Sequence, residues 1–171
     1  TMYYGPRAGA DAEPCVDGEA GGPGGLRAAD AAGLEVLKAT VAAGVTLRRV
    51  NLMTMDYGSY YSGGRRMGDL AVSALTDAVA QLKPLYPGRS EAQLRAMLGA
   101  TAMIGNNDVA GEVFTLDDAR TLALFAKNQG VGLVSFWAIQ RDQPCPYDDL
   151  AVCSKVNQAA FDFHRIFKTA Q

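Results

Sequence analysis

The sequence predicts an α/β fold built on parallel strands, and three observations carry that prediction. Helical and strand-like patterns alternate along the chain, the strand-like stretches are runs of apolar residues, and each run ends in polar or aromatic side chains. Apolar runs of this kind belong to parallel strands, whose crossover helices cover the faces of the sheet. In parallel architectures function collects at the carboxyl ends of the strands, so the third observation also says where a site should lie.

Residues 1–29 are rich in Gly, Ala, Pro and Asp and include GEAGGPGGLR, which reads as a Gly/Pro-rich loop or poorly ordered segment after the strand-like opening TMYY. Residues 30–171 are expected to form the folded part. Leu34, Leu37, Val41 and Val45 recur at helical spacing, Gly44 is a C-cap candidate, and TLRRVNLMTM then reads as a strand running into MDYG. GDLAVSALTDAVAQLK is helical until Pro84, whose ring cannot continue a helix. SEAQLRAM is a short second helix that Ser90 can cap, followed by the strand MLGATAMIG. In FTLDDARTLALFAKNQG, Thr115 and Asp118 form a capping-box-like pair and Gly130 closes the helix. VGLVSFWAI is the next strand, and SKVNQAAFDFHRIFKTA is expected to end the chain as a helix. A closed eight-stranded barrel takes roughly 250 residues. These 171 residues therefore make either a small open α/β sheet or part of a barrel.

Composition narrows the function. The net charge is −2 and no Lys/Arg cluster exceeds pairs such as Arg48-Arg49 and Arg65-Arg66, so no nucleic-acid partner is expected. No apolar run approaches the roughly 18 residues of a membrane span. The opening TMYYGPRAG has neither the basic nor the apolar region of a signal peptide. His164 is the only histidine, so no metal-ligand spacing arises, and GGPGG lacks the Lys and Ser/Thr of a phosphate loop. No metal or cofactor is expected. Cys145 and Cys153 flank a Pro- and Asp-rich loop as either a small disulfide ring or two free thiols, which leaves Cys15 over.

Read in order, the strand ends deliver Asp56 and Tyr57, then Asn106, Asn107 and Asp108, then Trp137 with Gln140, Arg141 and Asp142. Trp137 and the group Tyr57, Tyr60 and Tyr61 suit a sugar site, where aromatic rings stack on the apolar faces of pyranoses while carboxylates and amides hold hydroxyls. Plainer readings stand beside this one. Asp56 could be ion-paired to Arg65 or Arg141, Asn106 to Asp108 could be a turn, and Trp137 could be core. Glu112 would be an ordinary solvated loop carboxylate, and His164 a packed or surface residue.

VNLMTMDYG, then TAMIGNNDVAGEVFTLDDARTLALFA, then GVGLVSFWAIQRD resemble, in that order, the sixth, seventh and eighth barrel strands of a bacterial family 18 glycoside hydrolase, a chitinase. The likeness covers roughly residues 30 to 168, and the RD-x-PCP segment with a second Cys resembles the end of that barrel. It implies the C-terminal part of a (β/α)8 TIM barrel, a secreted glycosidase, and chitin or N-acetylglucosamine oligosaccharides as substrate. It also implies substrate-assisted retention, in which the substrate's own acetamido carbonyl attacks the anomeric carbon. Met53, Met55 and Asp56 fall on the family's M-x-Y-D motif, with Met55 where the motif has Tyr. Asp56 would position the acetamido group, Tyr57 would replace the missing hydroxyl, and Trp137 would form the floor under the sugar. Met53, Met55, Asn106 and Asn107 would complete the substrate contacts. The general-acid motif D-x-x-D-x-D-x-E has no counterpart here: Asp17-Gly18-Glu19 is preceded by Cys15 and Ala12 where Asp is required, and no apolar strand leads into it. The general acid is thus expected outside this chain, with association with a missing barrel half or homodimerisation as a consequence. The alternative is a chitin-binding, lectin-like protein without turnover.

Overall fold

The computed structural model describes residues 2–4, 31–145 and 149–170; most of the Gly-rich segment, and Cys15 within it, lies outside the described residues. Strands β1 (Met2–Tyr4), β2 (Val50–Thr54) and β3 (Leu98–Met103) pair in parallel in that order, and β3 then pairs with the last strand, Leu133–Trp137. Spatial order follows chain order throughout. A doubly wound open sheet reverses its strand order at a switch point, whereas an arc of a barrel does not. The sheet therefore follows the barrel rule.

Helix α1 (Ala31–Ala42) buries Leu37 and ends where Gly44 turns the chain, its N–H donating to Val41 O. Val45, expected on the apolar stripe, lies beyond that end and is exposed. After β2, the single turn α2 (Ser59–Ser62) leads to α3 (Met67–Leu82), which stops before Pro84 and buries a face from Met67 through Leu70, Leu75 and Val79 to Leu82. Helix α4 (Glu91–Met97) opens with a full capping box between Ser90 and Gln93 and passes directly into β3. A small antiparallel hairpin, β4 (Gly105–Asn106) with β5 (Val113–Phe114), follows β3. Helix α5 (Leu116–Gln129) starts from the Thr115/Asp118 capping box and closes on Gly130. The same Asp118 accepts the Gly68 N–H at 3.0 Å, which docks the start of α3 onto the start of α5.

The strand β6 (Leu133–Trp137) ends in a short 3-10 turn, Ile139–Arg141. The expected final helix begins late: α6 spans only Asp162–Phe167, followed by 3-10 residues Lys168–Ala170. Two left-handed residues, Lys155 and Phe161, break the pattern before it. Asp142 sets the new start, its backbone carbonyl taking the Phe161 N–H at 2.7 Å and its carboxylate taking those of Phe163 and His164. Side-chain capping at the first turn satisfies donors that have no partner inside the helix.

The two sheet faces differ, contrary to the expectation of uniformly apolar strands. Val50, Leu52, Leu98, Ala100, Ala102 and Val134 belong to one core with the inner residues of α3, α5 and α6. Alternation along the strands places Asn51, Thr101 and Ser135 on the other face. They form a polar ladder, with Asn51 Nδ2 donating to Thr101 Oγ1 at 2.7 Å and the Thr101 and Ser135 hydroxyls 2.6 Å apart.

Candidate active site

Asp56 lies two residues beyond β2 in a left-handed backbone conformation, φ 49°. Such a conformation is uncommon outside glycine and persists where surrounding contacts hold it. The contacts here are reciprocal. The Asp56 N–H donates to Asn107 Oδ1 at 3.3 Å and the Tyr57 N–H to Glu112 Oε2 at 3.0 Å. In return Asp56 Oδ1 accepts the N–H groups of Asp108 at 3.0 Å and Val109 at 3.4 Å. Side chains from the β4–β5 hairpin thus hold the backbone after β2, and the side chain after β2 holds the backbone of the hairpin. Among the described residues, Asp56 Oδ2 makes no hydrogen bond.

The electrostatics follow from the enclosure. Burial raises the Asp56 pKa above the ordinary aspartate value, and the Asp108 carboxylate adds to the rise. The Val109 and Asp108 N–H groups and the Arg141 charge oppose it. Asp56 forms no salt bridge with Arg65 or Arg141 among the described residues. Arg141 is buried below β4, donates a short hydrogen bond to Asn106 O, and leaves its Nε without a partner. Burial lowers its pKa, while Asp108 and Asp56 pull it back.

The residues singled out in the sequence take different places. Trp137 is 54 % exposed at the end of β6 and its ring is open to a ligand, as are the rings of Tyr60 and Tyr61 on α2, packed edge to face. Met53 is half-buried on the ladder face, and Met55 is buried at the tip of β2. Tyr57 departs from expectation. It is 3 % exposed within the core and its hydroxyl is enclosed without a partner, so it offers nothing at the strand tips. Burial, with the Glu112 charge second, drives its pKa far upward.

Asn106 is half-buried, its backbone bound by Ser154 O and Arg141. Asn107 is 5 % exposed, and its Nδ2 donates to Met103 O and Gly105 O, so its amide is committed to backbone. The turn reading describes it better than a ligand contact. Glu112, expected to be solvated, is 2 % exposed. Burial raises its pKa, and the Tyr57 N–H is the leading influence against that rise. No local pattern marks it, because its partner lies 55 positions away. Cys145 and Cys153 are joined by a disulfide. Asp142 is fully buried as the cap of α6, and His164 is exposed.

The solved structures most like this one include the catalytic domain of a hyperthermophilic chitinase from Pyrococcus furiosus, with a TM-score of 0.74 and 32% identity over 82% of this chain. Two curated relatives are each 44% identical over 118 residues, 66% of this chain: a probable bifunctional chitinase/lysozyme of Escherichia coli (strain K12) and endochitinase 11 of Metarhizium anisopliae. This chain is homologous to chitinases. It spans 13% and 23% of those two relatives and 45% of the solved Pyrococcus chain. No protein-family profile matches it. Its α/β fold, with parallel strands in sequential order, is that of part of a chitinase catalytic domain and is compatible with an arc of a TIM barrel. Catalytic-site mutants of active domain 2 of the Pyrococcus chitinase have been crystallised with chito-oligosaccharides. The chain thus presents a half-buried carboxylate and an exposed tryptophan at the ends of its parallel strands.

Proposed function

We propose that this chain is part of a secreted family 18 glycoside hydrolase that cleaves β-1,4-linked N-acetylglucosamine polymers with retention. The substrate's acetamido carbonyl oxygen forms a bond to its own anomeric carbon as the glycosidic C–O bond breaks. A Glu outside this chain protonates the leaving oxygen, and water then opens the cyclic intermediate on the same face. Asp56 neither attacks nor protonates. Its Oδ2 accepts the acetamido N–H and holds the carbonyl in line, and such positioning is how intramolecular attack gains its rate. Trp137 supplies the apolar floor under the ring.

One observation carries this reading: a carboxylate with one oxygen fixed by two backbone N–H groups and the other making no hydrogen bond among the described residues. The disulfide supports a secreted location, since such bonds persist in oxidising compartments. The end positions of β1 and β6 in the sheet support association with a further barrel segment or a second copy.

The test is hydrolysis of N-acetylglucosamine oligosaccharides by the intact protein, with the first-formed anomer read by proton NMR. The β anomer should appear first, and D56N should lower kcat by about 100-fold, the scale of a lost positioning contact. An α product, or full activity in D56N, refutes the mechanism. Met55, standing where the family motif has Tyr and bringing no hydroxyl, favours a second reading as a chitin-binding protein without turnover. Calorimetric binding of the oligosaccharide with no product formed would select it.

A further inference from the structure

We infer that Glu112 is a positioning residue for Asp56, an inference that rests on the role of Asp56 proposed above. A buried carboxylate is costly unless its environment uses it. Among the described residues no cation pairs with Glu112; its carboxylate accepts the Tyr57 N–H at 3.0 Å and is further bonded by the Ser62 side chain and the Gly58 N–H, all in the segment that follows β2. The Tyr57 N–H directly follows the left-handed residue whose carboxylate forms the site.

Two side chains hold the turn at residues 56 and 57, and they are not equivalent. The bond from Asp56 N–H to Asn107 is between neutral groups and 3.3 Å long. The bond from Tyr57 N–H to Glu112 is 3.0 Å long and ends on a carboxylate, and charge-assisted hydrogen bonds are roughly twice as strong as neutral ones. Glu112 is also firmly mounted. It directly precedes β5, its N–H donates to Val109 O, and its carbonyl accepts the Asn107 N–H at 2.9 Å. Val109 is in turn one of the two residues whose N–H groups Asp56 Oδ1 accepts.

The result is a closed circuit: Glu112 to the Tyr57 backbone, along the chain to Asp56, from its carboxylate to Asp108 and Val109, and from Val109 back to Glu112. Removing the Glu112 acceptor releases the peptide between residues 56 and 57, so the Asp56 carboxylate loses its aim. Glu112 touches no substrate in this scheme and acts only through Asp56.

The test combines kinetics with amide hydrogen exchange on the intact protein. E112L should lower kcat on N-acetylglucosamine oligosaccharides by about 100-fold with KM changed by less than about threefold, the scale of a small misplacement of a reacting group. E112Q, whose amide oxygen can accept the same N–H, should recover at least about tenfold of that loss, a conservative rescue within the same site. The D56N/E112L double variant should be no slower than D56N within about twofold, because residues acting through one another are not additive. Additive losses, or a kcat unchanged in E112L, overturn the inference.

Exchange separates this outcome from failure of the functional reading. E112L should speed exchange at Tyr57 and also at Asp108 and Val109, whose N–H groups are held by the Asp56 carboxylate while the backbone bonds of residue 112 stay in place, whether or not the protein turns over chitin. Faster exchange at Tyr57 only would mean a local structural bond and would overturn the inference.

Discussion

Replacing Gly105 tests how the hairpin beside the site is seated. Gly105 has φ +75°, and a Cβ placed on it would overlap the Ser154 carbonyl, which is backbone and also accepts the Asn106 N–H. Gly111, in the same hairpin loop, has φ +86° and nothing within 4 Å of a Cβ. The pair separates two costs. The left-handed conformation alone costs a residue with a Cβ about 1–2 kcal/mol. Overpacking adds about 1–3 kcal/mol, since the blocking group cannot swing away as a side chain would. G111A should therefore lose about 1–2 kcal/mol and G105A about 2–5 kcal/mol. Urea titrations followed by far-UV circular dichroism, compared at a common m value, give both numbers. Equal losses in the two variants would mean that β4 lifts off the Ser154 backbone at no cost, and the seating argument would fall.

Three further outcomes follow from the same geometry. D142A should cost about 2–4 kcal/mol, because the buried Phe163 N–H and the partly buried His164 N–H lose their acceptor and Gln158 Nε2 keeps only Ala159 O, whereas D142N should keep more than half of the stability at stake; urea midpoints of the two decide it. Burial alone raises the Asp77 pKa, and its Oδ2 has no partner. The folded state therefore holds that proton more tightly than the unfolded chain, and Asp77 favours folding below its ordinary value and disfavours it as pH rises through the raised one. D77N should then be more stable than the parent at neutral pH, with the advantage vanishing toward pH 3; an advantage independent of pH would refute the burial argument. W137A should shift stability by less than about 1 kcal/mol, since the ring is exposed, yet weaken binding of N-acetylglucosamine oligosaccharides at least tenfold by calorimetry.

What could be read from the sequence was whatever depends on neighbours along the chain. The caps at Ser90 and Thr115, the stops at Pro84 and Gly130, and the polar strand ends are all local, and the structure has each of them. The hairpin was not legible because strands of two residues carry no period. The last helix was overextended because its start is fixed by Asp142, some twenty residues upstream, rather than by its own sequence. The misplacement of Tyr57 has a single cause. Period-two alternation from Met53 and Met55 would put Tyr57 on their face, but the left-handed Asp56 between them resets the phase and turns the ring into the core. Glu112 was read as solvated because a side chain bonded to a distant backbone N–H leaves no mark on the residues around it.

The polar ladder across β2, β3 and β6 acts as an address for strand alignment. A slip of one residue in a strand exchanges its two faces. Here such a slip in β3 would turn Thr101 toward the helices and bring Ala100 or Ala102 between Asn51 and Ser135, leaving both without their partner hydroxyl. Gly99 sharpens the match, since a Cβ at that position would come within 2.5 Å of Asn51 Oδ1, so the wide amide fits only opposite the smallest residue. Apolar strands alone would tolerate several offsets of similar energy. Three hydrogen-bonding side chains make one offset better than the rest, and that choice fixes how far the tips of β2, β3 and β6 reach and hence where Asp56 and Trp137 stand.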